Sequence, residues 1–328
     1  MNVEIASKLH GKKHTAWQSL LEETGLVADE AVDRIALVWD SDELIATASR
    51  KENLFKCIAV KPDRQGEDLT ATVISALRSD AFSDGYNHLF LYTKPENETI
   101  FSSLFFYPVA SSDRVLLMEN RKGGILDFIS SLKPQKRDGR IGSLVMNCNP
   151  FTLGHQALIE RAAQECDFVY VFVLSEDKSR FSTRDRMEMV KLGTAHLDNV
   201  QVLPTGPYLI SAATFPSYFI KDRDNISEIQ CLLDIEIFAR YFAPAFSITR
   251  RYVGTEPYSP LTEKYNQALA RNLPPRGIEL VEVERTKVGE KAISASLVRE
   301  LIERNEVDAL KALLPQTTLD YLIKNDLI

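Results

Sequence analysis

The chain has 328 residues, 45% hydrophobic and 26% charged, with a formal net charge of −7. That length accommodates two domains, and the acidic balance argues against broad contact with nucleic acid or an anionic membrane surface. No apolar run approaches the ~20 residues of a membrane span and no apolar leader follows Met1, so a cytoplasmic location is expected, with neither nucleic acid nor membrane as partner.

In chain order, Arg34–Trp39 and Glu43–Ser49 read as a strand pair about the turn Asp40-Ser41-Asp42, and Leu54–Val60 as a further strand. The spacing of Val73, Ile74, Leu77 and Ala81 predicts a helix from Asp68 to about Ser79. His88–Thr93 is again a strand. Residues 1–122 are therefore expected to form a first domain that mixes strands and helices. Residues 123–140 hold Gly123-Gly124, a short helical run near Ile125–Leu132 and the polar run Lys133–Arg140, and read as a linker.

From Ile141 to the end, strands and helices alternate. Strands are expected at Ile141–Met146, Asp167–Leu174, Val200–Leu203, Ile248–Gly254 and Ile278–Val283. Helices are expected at His155–Glu165, Arg184–His196, Ile229–Tyr241 and Leu261–Arg271, then three short ones beginning near Ser294, Val307 and Thr317. Asp167–Leu174 is almost continuously apolar, as a strand covered on both faces must be. This alternation predicts a parallel sheet with right-handed crossovers. Ligands of such sheets collect at the carboxyl ends of the strands.

Two segments fall at those ends. Asn147-Cys148-Asn149-Pro150-Phe151-Thr152-Leu153-Gly154-His155 joins a strand to a helix start, where backbone N–H groups and the helix dipole favour an anion. Ile293-Ser294-Ala295-Ser296-Leu297-Val298-Arg299 opens a second helix. Ser294 suits its N-cap. Ser296 and Arg299 share a face opposite Leu297, Val298, Leu301 and Ile302, and arginine's planar fork suits phosphate. Together the two starts are suited to the ends of a triphosphate, which points to ATP. The basic stretch Lys178–Arg186 offers Arg184, then Arg180, to close over it, while Lys178 and Arg186 read equally as solvated charges. Gly254-Thr255-Glu256 is either a contact for adenine or ribose or a structural turn. The cysteines Cys57, Cys148, Cys166 and Cys231 are scattered without a CxxC pair, so neither a disulfide framework nor a zinc site is expected. No protein nucleophile with a base partner is identifiable, and Cys148 reads as a small buried residue.

Asn149–His155 resembles the HxGH/TxGH motif, and Ile293–Arg299 the ISxTxxR motif, of the nucleotidylyltransferase superfamily. Ser182–Val190, Phe219–Asp222 and Arg251–Pro260 resemble segments of the citrate lyase ligase family. The N-terminal part is similar to the acetyltransferase-like (GNAT) domain of that family. The resemblance implies an α/β protein, with a GNAT-like α+β domain followed by a Rossmann-like parallel-sheet nucleotidylyltransferase domain over 141–328. It implies an AMP-forming ligase that converts ATP and acetate to acetyl-adenylate and pyrophosphate. The acetyl group then passes to the thiol of a phosphopantetheine-type prosthetic group on the citrate lyase acyl-carrier subunit.

By the same resemblance His155, Thr152 and Arg299 are the catalytic residues. Asn147, Asn149, Gly154, Ser294 and Ser296 are expected to hold ATP, with Arg184, Gly254 and Glu256 added by their position at the sheet edge, and Gly154 permits close backbone approach. Mg2+ is expected on the phosphate oxygens, with no dedicated protein ligands. Acetate supplies the nucleophile, so the enzyme need only align it. Val60–Asp68 resembles an acetyl-CoA pyrophosphate loop in which Asp68 replaces a glycine and Glu67 adds negative charge. Holding the carrier or its CoA-like arm is expected there rather than acetyltransferase activity. Tyr208–Tyr241 is placed to shape the acid pocket by position alone. The competing readings are a nucleotidylyltransferase for a phosphorylated acceptor and a non-enzymatic ATP-sensing or carrier-binding module.

Overall fold

A computed structural model describes residues 3–175, 179–209, 226–255, 260–288 and 291–328. The chain divides into two compact units. One comprises Met1–Gly124 and a later stretch that includes residues 226–233; the other comprises Ile125–Thr214 and Asp234–Ile328.

The first unit is α+β. Its elements are β1 (Val3–Ala6), α1 (Gly11–Glu23), β2 (Arg34–Asp40), β3 (Glu43–Lys51), β4 (Leu54–Val60), α2 (Leu69–Ser83), β5 (Phe90–Thr93), α3 (Glu98–Ser103), β6 (Tyr107–Ser111) and β7 (Leu116–Glu119). They build a seven-stranded sheet in the order β1-β2-β3-β4-β5-β7-β6. Only the β4–β5 pair in it is parallel. Helix α2 packs Val73, Ile74, Leu77 and Ala81 against Ala36, Val38, Phe55 and Leu91, which is why the helical spacing was legible. In the loop after β4, Arg64 pairs with Glu67 and Asp40, both at 2.7 Å. Asp68 takes the left-handed conformation at φ 55°.

The second unit begins with α4 (Gly124–Ser131). Then come β8 (Ile141–Met146), α5 (Leu153–Glu165), β9 (Phe168–Val173), α6 (Thr183–Thr194), β10 (Val200–Pro204), α7 (Ile226–Ile237, whose residues 226–233 group with the first unit), α8 (Ala243–Ala245), β11 (Arg250–Gly254), α9 (Pro260–Asn272) and β12 (Glu279–Val283). A short hairpin, β13 (Lys287–Val288) and β14 (Lys291–Ala292), precedes α10 (Ala295–Glu303), α11 (Val307–Leu310) and α12 (Gln316–Lys324). The sheet order is β10-β9-β8-β11-β12, and every pair is parallel. The order reverses between β8 and β11, so a crevice opens at the carboxyl ends of those two strands. Val169, Val171 and Val173 of β9 join Leu144, Ile159, Val298 and Leu301 in one core.

In the stretch read as a linker, the expected short helical run is α4, and residues 125–140 group with the second unit. Phe128 packs against Tyr208 with tilted rings, centroids 5.5 Å apart, so apolar contact holds this segment to the unit.

Phe151 is fully buried just before α5. It lies so close to α6 that a Cβ on Gly193 would sit 2.3 Å from its Cε1. Gly193→Ala is therefore expected to destabilise the protein by ~1–3 kcal/mol, as overpacking does. Urea unfolding measures this, and an unchanged midpoint would show that α6 is free to move away.

Candidate active site

After β8 the chain turns through Asn147–Thr152. Cys148 is left-handed at φ 52° and the Asn149–Pro150 peptide is cis. An irregular turn with buried carbonyls needs donors from elsewhere, and two arginines supply them. Arg186, fully buried, donates from Nη1 to Asn147 O at 2.9 Å, Asn147 Oδ1 at 2.8 Å and Leu174 O at 2.7 Å. Arg299 donates from Nη1 to Asn149 O at 2.7 Å and from Nη2 to Ser296 Oγ at 3.0 Å, which ties the first segment to the second. Burial pushes the Cys148 thiol up to about 12, against the opposing charge of Arg186, so it stays protonated as a small core residue.

Thr152 caps α5. The Thr152 amide donates to His155 Nδ1 at 3.0 Å, while the His155 amide donates to Thr152 Oγ1 at 3.4 Å. This is a capping box with histidine in the usual Glu/Gln position. Because Nδ1 accepts, the neutral ring carries its proton on Nε2. The ring stacks on Phe151 at 5.9 Å. Burial, then the positive charge of Arg285, lowers the His155 pKa to about 4. The α5 start is less open than an unoccupied helix N-terminus, since the Leu153 amide donates to Leu313 O at 2.9 Å. An anion there meets the dipole and the imidazole Nε2–H more than a full set of free amides.

A cavity of about 690 Å³ lies at this edge of the sheet. Its walls bring together Asn147, Thr152, Gly154, His155, Gly254, Ser294 and Ser296 from the sequence reading. Ser294 caps α10 by accepting from the Leu297 amide at 3.1 Å. A Cβ on Gly154 would make ordinary contacts with Ile293, the nearest at 3.5 Å. Protein packing therefore does not demand this glycine, and what it keeps open is cavity space. Asn149 and Arg299 are not among the lining residues and are joined to each other. Arg184 is exposed on the first turn of α6 and is not among the lining residues. Arg180 pairs with Glu303 at 3.5 Å. Glu256, Lys178 and Phe219–Asp222 lie outside the described residues.

Sequence reasoning missed Arg285 and Arg251, both in the cavity wall. Arg285 follows the carboxyl end of β12, its side chain within 3.5 Å of where a Gly254 Cβ would stand. The strand-end rule that singled out Gly254 applies to it equally. Arg186 was read as a choice between a phosphate contact and a solvated charge; it is fully buried, its guanidinium bonded to backbone carbonyls and to the Asn147 and Thr183 side chains.

The model of the citrate lyase ligase C-terminal domain matches residues 141–322. Over 302 residues the chain is 41% identical to a citrate (pro-3S)-lyase ligase of Klebsiella pneumoniae, covering 90% of this chain and 88% of that one. The chain belongs to the citrate lyase ligase family. Since the match spans nearly all of both chains, the N-terminal unit belongs to the family pattern as well. A phosphopantetheine adenylyltransferase of Corynebacterium glutamicum (strain R) is 30% identical over 121 residues, 36% of this chain and 71% of that one. Among solved structures, Escherichia coli ElaA covers 37% of this chain and 100% of its own, at 18% identity and a TM-score of 0.33.

The lowered His155 pKa has a definite sign. The unfolded chain protonates this imidazole near its ordinary value and the folded chain only near pH 4, so its linked stability is present above about pH 6.5 and is lost as pH falls toward 4. In ligand-free protein, 15N NMR should show a neutral Nε2–H ring from pH 8 down to pH 5. A titration midpoint between 6 and 7 would contradict the buried capping geometry.

Proposed function

We propose that this chain is an AMP-forming acid–thiol ligase. It activates acetate with ATP and acetylates the thiol of the phosphopantetheine-type group on the citrate lyase acyl-carrier subunit. The observation that carries this reading is the convergence of the His155 and Ser294 helix starts on one cavity at the switch point, in a chain of this family. A carboxylate oxygen of acetate attacks the α-phosphorus, the bond from that phosphorus to the α,β-bridging oxygen breaks, and pyrophosphate leaves. The carrier thiolate then attacks the acetyl carbonyl and AMP departs.

His155 donates through Nε2 to phosphate oxygens as charge shifts toward the leaving pyrophosphate. Thr152 fixes the ring tautomer, and Arg299 holds the turn and Ser296 in place. Asn147, Gly154, Gly254, Ser294 and Ser296 are assigned to the nucleotide. Arg184 is assigned to its outer phosphates, and Glu256 to its ribose or adenine. Among the described lining residues the acidic group is Glu284. That donor set fits a magnesium ion carried mainly by phosphate oxygens rather than by a protein cage, so ATP enters as its magnesium complex. In the first unit, a cavity of about 700 Å³ lined by Gln65, Gly66, Asp68 and Tyr92 is assigned to the carrier's CoA-like arm.

Acetate-dependent exchange of labelled pyrophosphate into ATP tests the reading. Exchange is expected without carrier, and His155→Ala should lower it by about 10²–10³-fold with the fold retained. Near-normal exchange in that variant refutes the role of His155. A stable nucleotidyl product on a phosphorylated acceptor, in place of free AMP, would favour simple nucleotidyl transfer.

A further inference from the structure

Arg251 is 2% exposed, yet it lies in the wall of the cavity that holds Thr152, His155 and Ser294. Its Nε and Nη1 are enclosed and have no hydrogen-bond partner among the described residues. The Phe238 ring covers one face of the guanidinium, 4.4 Å from its carbon to the ring centroid. Phe238 opens a π-helical turn, Phe238–Phe242, a rare geometry that is frequent at functional sites. Arg186 makes the contrast. It is equally buried, but the fold itself supplies its acceptors.

A buried cation with idle donors lowers the stability of the folded chain. Its presence is explained if an anion completes it. That anion is not the triphosphate on the α5 side. Along β11, side chains alternate between the two faces. Tyr252 points to α5, donating to Glu165 Oε2 at 2.9 Å, and a Gly254 Cβ would near Leu158 at 4.0 Å. Arg251 lies on the opposite face, with Phe238. A planar carboxylate matches the guanidinium fork, and an aromatic ring beside it suits a short apolar tail.

We propose that Arg251 and Phe238 form the subsite for the acid substrate, binding the carboxylate of a short monocarboxylic acid. This rests on the acid-activating reading and locates the pocket that position alone had left between Tyr208 and Tyr241. In the full chain, Arg251→Gln and Arg251→Met should raise the acetate KM for pyrophosphate exchange by roughly tenfold or more. The ATP KM should stay within about twofold. The ligand-free Tm should be unchanged or higher, because an unsatisfied buried charge has gone. An unchanged acetate KM, with wild-type exchange intact, overturns the subsite and leaves the ligase reading standing. Absence of wild-type exchange with any short acid overturns the ligase reading instead. Should the variants fail to fold, wild-type protein decides. The Arg251 Nε–H resonance should shift with acetate and not with pyrophosphate. A shift with pyrophosphate alone, or none with either, overturns the proposal.

Discussion

Two guanidinium groups hold the turn on which this structure depends. Asn147–Thr152 leaves the sheet at its switch point with carbonyls pointing into protein, where nothing regular pairs with them. Arg186 takes the carbonyls of Asn147 and Leu174 from one side, and Arg299 takes that of Asn149 from the other. Charge-assisted bonds of this kind are among the stronger ones a fold can use. Removing either arginine would strand the carbonyls it serves. With the turn fixed, Phe151 seats against Gly193, Thr152 caps α5, and the histidine three residues on has one tautomer and one direction.

The electrostatic character of the cavity follows. The chain as a whole is acidic at −7, yet Arg251 and Arg285 line this cavity between two helix starts. Burial and then Arg285 keep His155 neutral, so the ring offers an Nε2–H donor rather than a second cation. On the proposed function, an anion there meets oriented dipoles and fixed donors, which need little rearrangement as charge moves.

Much of this was legible in the chain. β8 falls at Ile141–Met146 as expected, because a run buried on both faces has sharp apolar limits. Helix α10 was marked by a cap that the structure uses, Ser294, while Thr152 and Ser182 cap α5 and α6. Other elements left fainter traces. Helix α1 buries only Trp17, Leu20 and Leu21 and carries little periodic signal. The arginines were harder still. Arg186 stands in a basic run that looks like solvated surface, and only the crossover from β9 to α6 brings it beneath the turn. Arg299 was read as facing phosphate, and nothing in the sequence marked that it also joins the two loops through Asn149 O and Ser296 Oγ. Arg251 lies inside a strand, where sequence pattern gives no sign that its charge is left unmatched. Charge in a sequence says nothing of which acceptors tertiary packing will deliver.

On the proposed function, acetate's own oxygen attacks the α-phosphorus. Turnover with acetate labelled by 18O in the carboxylate, in the presence of the acyl carrier, tests it most directly. One labelled oxygen should appear in the phosphate of the released AMP, because the anhydride's bridging oxygen leaves with AMP when the thiol takes the acetyl group. AMP free of label, or label recovered in inorganic phosphate, would contradict it.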